Sequence, residues 1–190
     1  PWLQRAVEQP SHTHARADVE AAARLVDEVA EELGLVRSLH ADPAGKFADH
    51  RVYATPATGA DDRTLALVGH IDTVFPRSLG FLSFSRDGDV VRGPGVLDMK
   101  SGISSMLFAL RALRRGAPEI FAALRLRVVV VSDEEVGSPS SHALYDQLAP
   151  RTTAGLVFES GRRHDLIVTA RKGGGVFTVT VHGKAAHSGN

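Results

Sequence analysis

Four short segments gather the residue types that handle metal ions, water and protons. His70 closes the apolar run "TLALVGH", and Asp72 follows two positions later. Asp98 stands among glycines in "GPGVLDMKSG". Asp133, Glu134 and Glu135 come directly after "LRVVVVS", and Glu159 ends "GLVFE". Adjacent anions repel, and burying any of them is costly unless a proton or a cation compensates. One His and up to six carboxylates brought to one place would therefore make a cation site. Imidazole and carboxylate donors suit zinc and its first-row neighbours. Shared carboxylates suit two ions, roughly 3.5–4 Å apart in two-metal sites. In such a site one Glu of the triplet ligates metal and its neighbour handles protons. Taken singly, each residue has a plainer use. Asp72 reads as a turn residue, Asp98 as a helix N-cap, the triplet as a cap or a solvated loop, and Glu159 as an ordinary strand end. Their common position after apolar runs favours the shared site.

The elements that must position these residues are legible from periodicity. Val19, Ala22, Ala23, Val26, Val29, Ala30 and Leu33 recur at helical spacing before Gly34, which predicts a helix over about 15–33. Ile103, Met106, Leu107, Leu110 and Leu113 mark a second helix that Gly116 ends, and "SPSSHALYDQL" reads as a short third. "LVRSL" and "HRVYATPA" are extended pieces, and Asp87-Gly88 predicts a hairpin. "TLALVGH", "LRLRVVVVS" and "AGLVFES" read as buried strands, and "DLIVTA" and "GGVFTVTVHG" as later ones. Alternating strands and helices predict an α/β fold with a central, mostly parallel sheet flanked by helices. Sites in such sheets form outside the carboxyl ends of the strands, where His70, Asp72, Glu134, Glu135 and Glu159 all fall. "RKGGG" reads as a hinge, which divides the chain at 1–171 and 172–190.

Bulk properties exclude several classes. Lys+Arg and Asp+Glu both number 22, so the basic balance of a nucleic-acid binder is missing. With no Cys among 190 residues there is no disulfide and no thiolate ligand, so any metal rests on the nine His and the carboxylates. No apolar run reaches transmembrane length. The expected compartment is the cytoplasm; a periplasmic or secreted one stays open because the chain starts at Pro1 without a Met. His12 and His14 in "SHTH" are expected in a polar loop, and His182 at an exposed or structural position.

Five motifs in order carry a family resemblance: "GHIDTVFP", "GPGVLDMKSG", "SDEEVGSPSS", "VFES" and "GKAAHSG". Together they resemble the M20 metallopeptidases, in particular the carboxypeptidase G2-like glutamate carboxypeptidases. The resemblance implies a zinc exopeptidase-like catalytic domain, with the start of an inserted α+β lid domain in 172–190. It implies two Zn²⁺, with cobalt or manganese as substitutes. His70 and Glu159 would ligate one ion and Glu135 the other, with Asp98 bridging. Glu134 would be the general base and Asp72 the carboxylate that orients His70. A cis bond is implied between Asp98 and Met99. His187 would be the lid His that contacts substrate in a partner subunit, in a homodimer built through the lid. A further His completing the second ion has no counterpart before Asn190. The implied substrate is a small peptide or an N-acyl amino acid, with release of a C-terminal residue such as glutamate. An N-acyl amino acid deacylase is the alternative on the same metal site. A non-catalytic binding relative or an inactive fragment is the third reading. Neither nucleic acid nor membrane is an expected partner.

Overall fold

The structure is a computed structural model and describes residues 2–161, 166–175 and 177–184. The chain divides into a unit Pro1–Ser160 and a unit Gly161–Asn190. In the first unit a five-stranded sheet has the order β1-β2-β6-β3-β7. The strands are β1 (Val36–His40), β2 (His50–Ala54), β3 (Thr64–His70), β6 (Leu126–Val131) and β7 (Thr152–Val157). β4 (Ser85–Asp87) and β5 (Val90–Arg92) form the hairpin that Asp87-Gly88 predicts. β1 and β6 are both antiparallel to β2, while β6, β3 and β7 pair parallel. Only β2 is therefore reversed in this sheet, which makes it the mostly parallel one expected.

The helices cover both faces of the sheet. α1 (Trp2–Glu8) and α2 (Arg16–Glu32) lie in chain order before the sheet begins. α2 buries the six apolar residues from Val19 to Ala30 that its periodicity picks out. α3 (Ser101–Gly116) buries Ile103, Met106, Leu107 and Leu110, and α4 (Pro118–Ala123) adds Phe121. These side chains meet Leu67, Leu126, Val128 and Val130 in the main core. On the opposite face α5 (Ser141–Leu148) sets Leu144 against Val52, Val129 and Val131. β6 is buried along its whole length, as a continuous apolar run covered on both faces must be. Arg51 on β2 ties the sheet to α2 by ion pairs with Glu20 at 2.8 Å and Asp27 at 3.3 Å.

Three features differ from expectation. α1 has no clear signal in the sequence; it is held by Trp2, whose indole N–H donates to the carbonyl of Leu25 at 2.7 Å. β7 is an edge strand with Thr153–Val157 exposed, not a buried one. An apolar run reports what covers its faces but not whether both of its backbone edges are paired. In the second unit the described residues contain no strand, although 165–170 and 174–183 read as strands in the sequence and the second of these alternates. Alternation becomes a strand only where another backbone takes up its hydrogen bonds.

Candidate metal centre

The parallel register sets three strand ends level. His70 pairs with Val131, and β7 continues beside β3 as far as a bond from the Phe158 N–H to the Val68 carbonyl at 3.0 Å. His70, the turn after β6, and Glu159 thus reach the same edge. His70 is buried, at 1% exposure, with its backbone N–H on the Met99 sulfur at 3.1 Å. Its Nδ1 faces the Asp72 carbonyl at 3.1 Å and Asp72 Oδ1 at 3.4 Å. With the Nδ1 proton held there, Nε2 points outward. It meets Asp98 Oδ1 at 3.0 Å, Glu159 Oε1 at 3.6 Å and Glu134 Oε2 at 3.8 Å.

Each carboxylate arrives by its own device. Asp98 sits in the turn Val96–Lys100, entered by Gly95 at φ 68°, and the Asp98-Met99 bond is cis. A Cβ on Gly95 would also meet the Thr73 methyl at 2.5 Å, so glycine is required there twice over. Asp72 is fully buried and accepts from the Thr13 hydroxyl at 2.7 Å and from the N–H groups of Glu134 and Glu135 at 3.3 and 3.2 Å. Those two amides hold the 3₁₀ turn Glu134–Val136 in place.

The acidic triplet divides its labour. Asp133 turns away from the cluster, and its Oδ2 accepts from Ser140 N, Ser140 Oγ and Ser141 N at 2.7, 2.8 and 3.1 Å. It caps α5, so the expected six-carboxylate cluster loses this member. Burial opposes its charge, but the Ser140 and Ser141 donors win and hold the carboxyl below the usual range. Behind it, Ser132 N–H donates to His50 Nδ1 at 3.3 Å, which leaves the proton of the neutral ring on Nε2 for Ser140 Oγ at 2.9 Å.

The electrostatics are those of an anion cluster short of positive charge. Burial works against a charged His70, yet Asp72, Glu134 and Glu159 outweigh it and push the imidazole up to about 9. Burial raises Glu135 to about 7, opposed by His70 and reinforced by Asp98, Asp72 and Glu134. Glu159 is raised for the same first reason, with Asp98 and Glu134 adding to it. A proton on His70 Nε2 occupies the place that a cation between Nε2 and Asp98 would take. Ligand atoms of His70, Asp98 and Glu159 all lie within 4.8 Å of one another, and the donor set of imidazole and carboxylates fits a divalent transition ion. Asp98 and Glu134 keep 57% and 45% of their side-chain surface, so the cluster opens to solvent while its base is buried.

The structure thus brings His70, Asp98, Glu134 and Glu159 together and sets Asp72 behind them; Glu135 joins through its amide and its electrostatic reach. His187 lies outside the described residues. Two supporting residues carry little signal in the sequence. Thr13 is an unmarked hydroxyl between two His. Lys100 is a fully buried ammonium whose Nζ donates to the carbonyls of Ala6 and Gln9 at 2.8 and 2.9 Å. Its only hint is a place one residue before an amphipathic helix, where a Lys is normally solvated. Burial lowers its pKa to about 7.

Comparison with known proteins gives a consistent picture. The family described as Peptidase family M20/M25/M40 matches residues 66–183. A probable carboxypeptidase of Arthroderma benhamiae is 34% identical over 158 residues, 78% of this chain and 33% of that protein. Carboxypeptidase G2 of Pseudomonas sp. (strain RS-16) is 30% identical over 133 residues, 69% of this chain and 32% of that protein. The chain thus spans about a third of the length of these relatives. Among solved structures, the M20 family metallo-carboxypeptidase Sso-CP2 from Sulfolobus solfataricus superposes with a TM-score of 0.67 at 18% identity, over 84% of this chain and 36% of that one. The di-peptidase Dug1p from Saccharomyces cerevisiae gives 0.67 at 15% identity, over 82% and 37%.

Proposed function

The chain belongs to peptidase family M20/M25/M40, and on that premise we propose that it carries the metal centre of a hydrolase cutting peptide or linear amide bonds. The observation that carries this reading is the convergence of Asp98, Glu159 and Glu134 on the outward nitrogen of a buried His70. His70 and Glu159 would hold one ion and Glu135 the other, with Asp98 shared between them. When bound, two divalent ions, zinc with cobalt or manganese as substitutes, polarise the scissile carbonyl and bring the pKa of water toward neutrality. Asp72 keeps the Nδ1 proton of His70 and so leaves the Nε2 lone pair free for ligation. Glu134 accepts a proton from the attacking water as its oxygen bonds to the carbonyl carbon, then returns that proton to the departing amine nitrogen.

The favoured substrate is a small peptide that loses a C-terminal residue such as glutamate, in line with relatives named carboxypeptidase. An N-acyl amino acid would be cut by the same residues. His187 would contact substrate across a homodimer, with 172–190 as the start of the lid. Among the described residues no helix is long and apolar enough to cross a membrane; the working compartment in this reading is the cytoplasm.

The test combines metal content with turnover. The protein should take up about two zinc equivalents. Glu134→Gln should keep them and lose turnover by roughly 10²–10⁴-fold on a panel of C-terminal glutamyl peptides and N-acyl amino acids. Absent metal uptake, or an unimpaired Glu134→Gln enzyme, would sink the reading.

A further inference from the structure

Asp72 has a donor that lies outside the family match, which begins at residue 66. Its Oδ1 takes the Glu134 amide and lies against His70 Nδ1; its Oδ2 takes the Glu135 amide and the Thr13 hydroxyl. At 2.7 Å the Thr13 bond is the shortest of these, and Thr13 is 1% exposed. A hydroxyl at that distance from a buried carboxylate makes a charge-assisted bond, roughly twice as strong as a neutral one.

The backbone around Thr13 is fixed to the backbone around Asp72. Thr13 N–H donates to the Thr73 carbonyl at 3.1 Å, and Thr73 N–H returns a bond to the Ser11 carbonyl at 2.8 Å. The Thr13 hydroxyl has a single proton, and the Thr73 carbonyl at 3.4 Å is the poorer acceptor. The proton therefore goes to Asp72. A carboxylate rotor is broad, and the Glu134 and Glu135 amides reach its two equivalent oxygens at 3.3 and 3.2 Å. The hydroxyl is a third donor that narrows this rotation and fixes the carboxylate plane, with one oxygen toward Thr13 and the other toward the imidazole.

We propose that Thr13 is a positioning residue of the metal centre, setting through Asp72 both the ring of His70 and the turn that carries Glu134 and Glu135. The metal part of this inference rests on the function proposed above; the turn part does not.

The test uses Thr13→Val and Thr13→Ala, which lose the hydroxyl, and Thr13→Ser, which keeps it. In the metal-free protein, amide hydrogen exchange is read by NMR at Glu134 and Glu135. We expect exchange about tenfold faster in the two hydroxyl-free variants and near wild type in Thr13→Ser. Cobalt titration, followed by its visible absorption, should show affinity lower by about 10–100-fold in the same two variants and restored in Thr13→Ser. A purely structural Thr13 would lower the thermal midpoint but leave both amides and the cobalt affinity of the folded protein as in wild type, which overturns the proposal. If Thr13→Val does not fold, Thr13→Ala decides by the same readings. If both hydroxyl-free variants do not fold, Thr13→Cys decides, because a thiol is a much weaker donor of similar size: faster exchange at both amides in the folded variant supports the proposal, and wild-type exchange overturns it. A wild type that binds no cobalt overturns the metal-centre reading instead, and the exchange result still decides for Thr13.

Discussion

A Cβ placed on Gly102 would stand 1.8 Å from the carbonyl oxygen of Phe158. The first turn of α3 and the end of β7 therefore touch backbone to backbone, and Glu159 leaves the sheet directly from that contact. Gly102→Ala should be harmful although Ala is the better helix former by about 1 kcal/mol. The clash is with backbone, so one element must move. We expect a loss of roughly 1–3 kcal/mol in urea unfolding and weaker metal uptake as Glu159 shifts. A variant as stable as wild type would show that the contact is looser than described.

Asp133 and Glu135 should separate stability from ligation. Asp133→Ala removes the acceptor for Ser140 and Ser141 at the start of α5 and should cost about 1–3 kcal/mol with metal content unchanged. Glu135→Gln should lower metal content with a much smaller change in unfolding. Calorimetry and elemental analysis on both variants check this division; equal effects on both readouts would contradict it.

His50 gives stability a pH dependence. Burial holds its pKa below the ordinary 6.5, and its Nδ1 must stay unprotonated to accept from Ser132. Because the folded pKa is depressed, the unfolded chain binds the proton first as pH falls. The stabilisation is complete above about pH 6.5 and is lost as pH drops from there toward the folded pKa. Urea midpoints between about pH 7.5 and 5 should fall more steeply for wild type than for His50→Gln, which starts lower. Parallel slopes would rule His50 out as the source.

Lys100→Met should keep the bulk of the side chain while stranding two carbonyls. Ala6 and Gln9 lose their shared donor, at a cost of about 1–3 kcal/mol per unpaired group. Faster proteolysis within α1 should accompany it. An unchanged unfolding midpoint would mean that water replaces the ammonium.

Much of this site was legible because parallel strands place their carboxyl ends together. His70, the turn after Val131, and Glu159 follow from that rule and from three apolar runs. The same reasoning does not distinguish Asp133 from its neighbours, since a cap and a ligand are the same chemical group and differ only in where the turn aims them. Thr13 was invisible for another reason: its partner is 59 positions away, and one hydroxyl in a polar stretch leaves no periodic mark. The edge position of β7 was equally hidden, because it depends on strand order and not on the strand's own residues.

The spacing of these contacts has a kinetic corollary. His70 meets Asp98 across 28 positions, Thr13 meets Asp72 across 59, and Lys100 meets Ala6 across 94. Strands β3 and β6, which hold the centre of the site, pair in parallel and so must be joined by a long crossover. Loops of this length close late and slow the search for the native topology. Among the described residues no single stretch presents the His70, Asp98 and Glu159 donors together; their cluster is a product of the completed fold. A divalent ion that binds there favours the finished state over every earlier one.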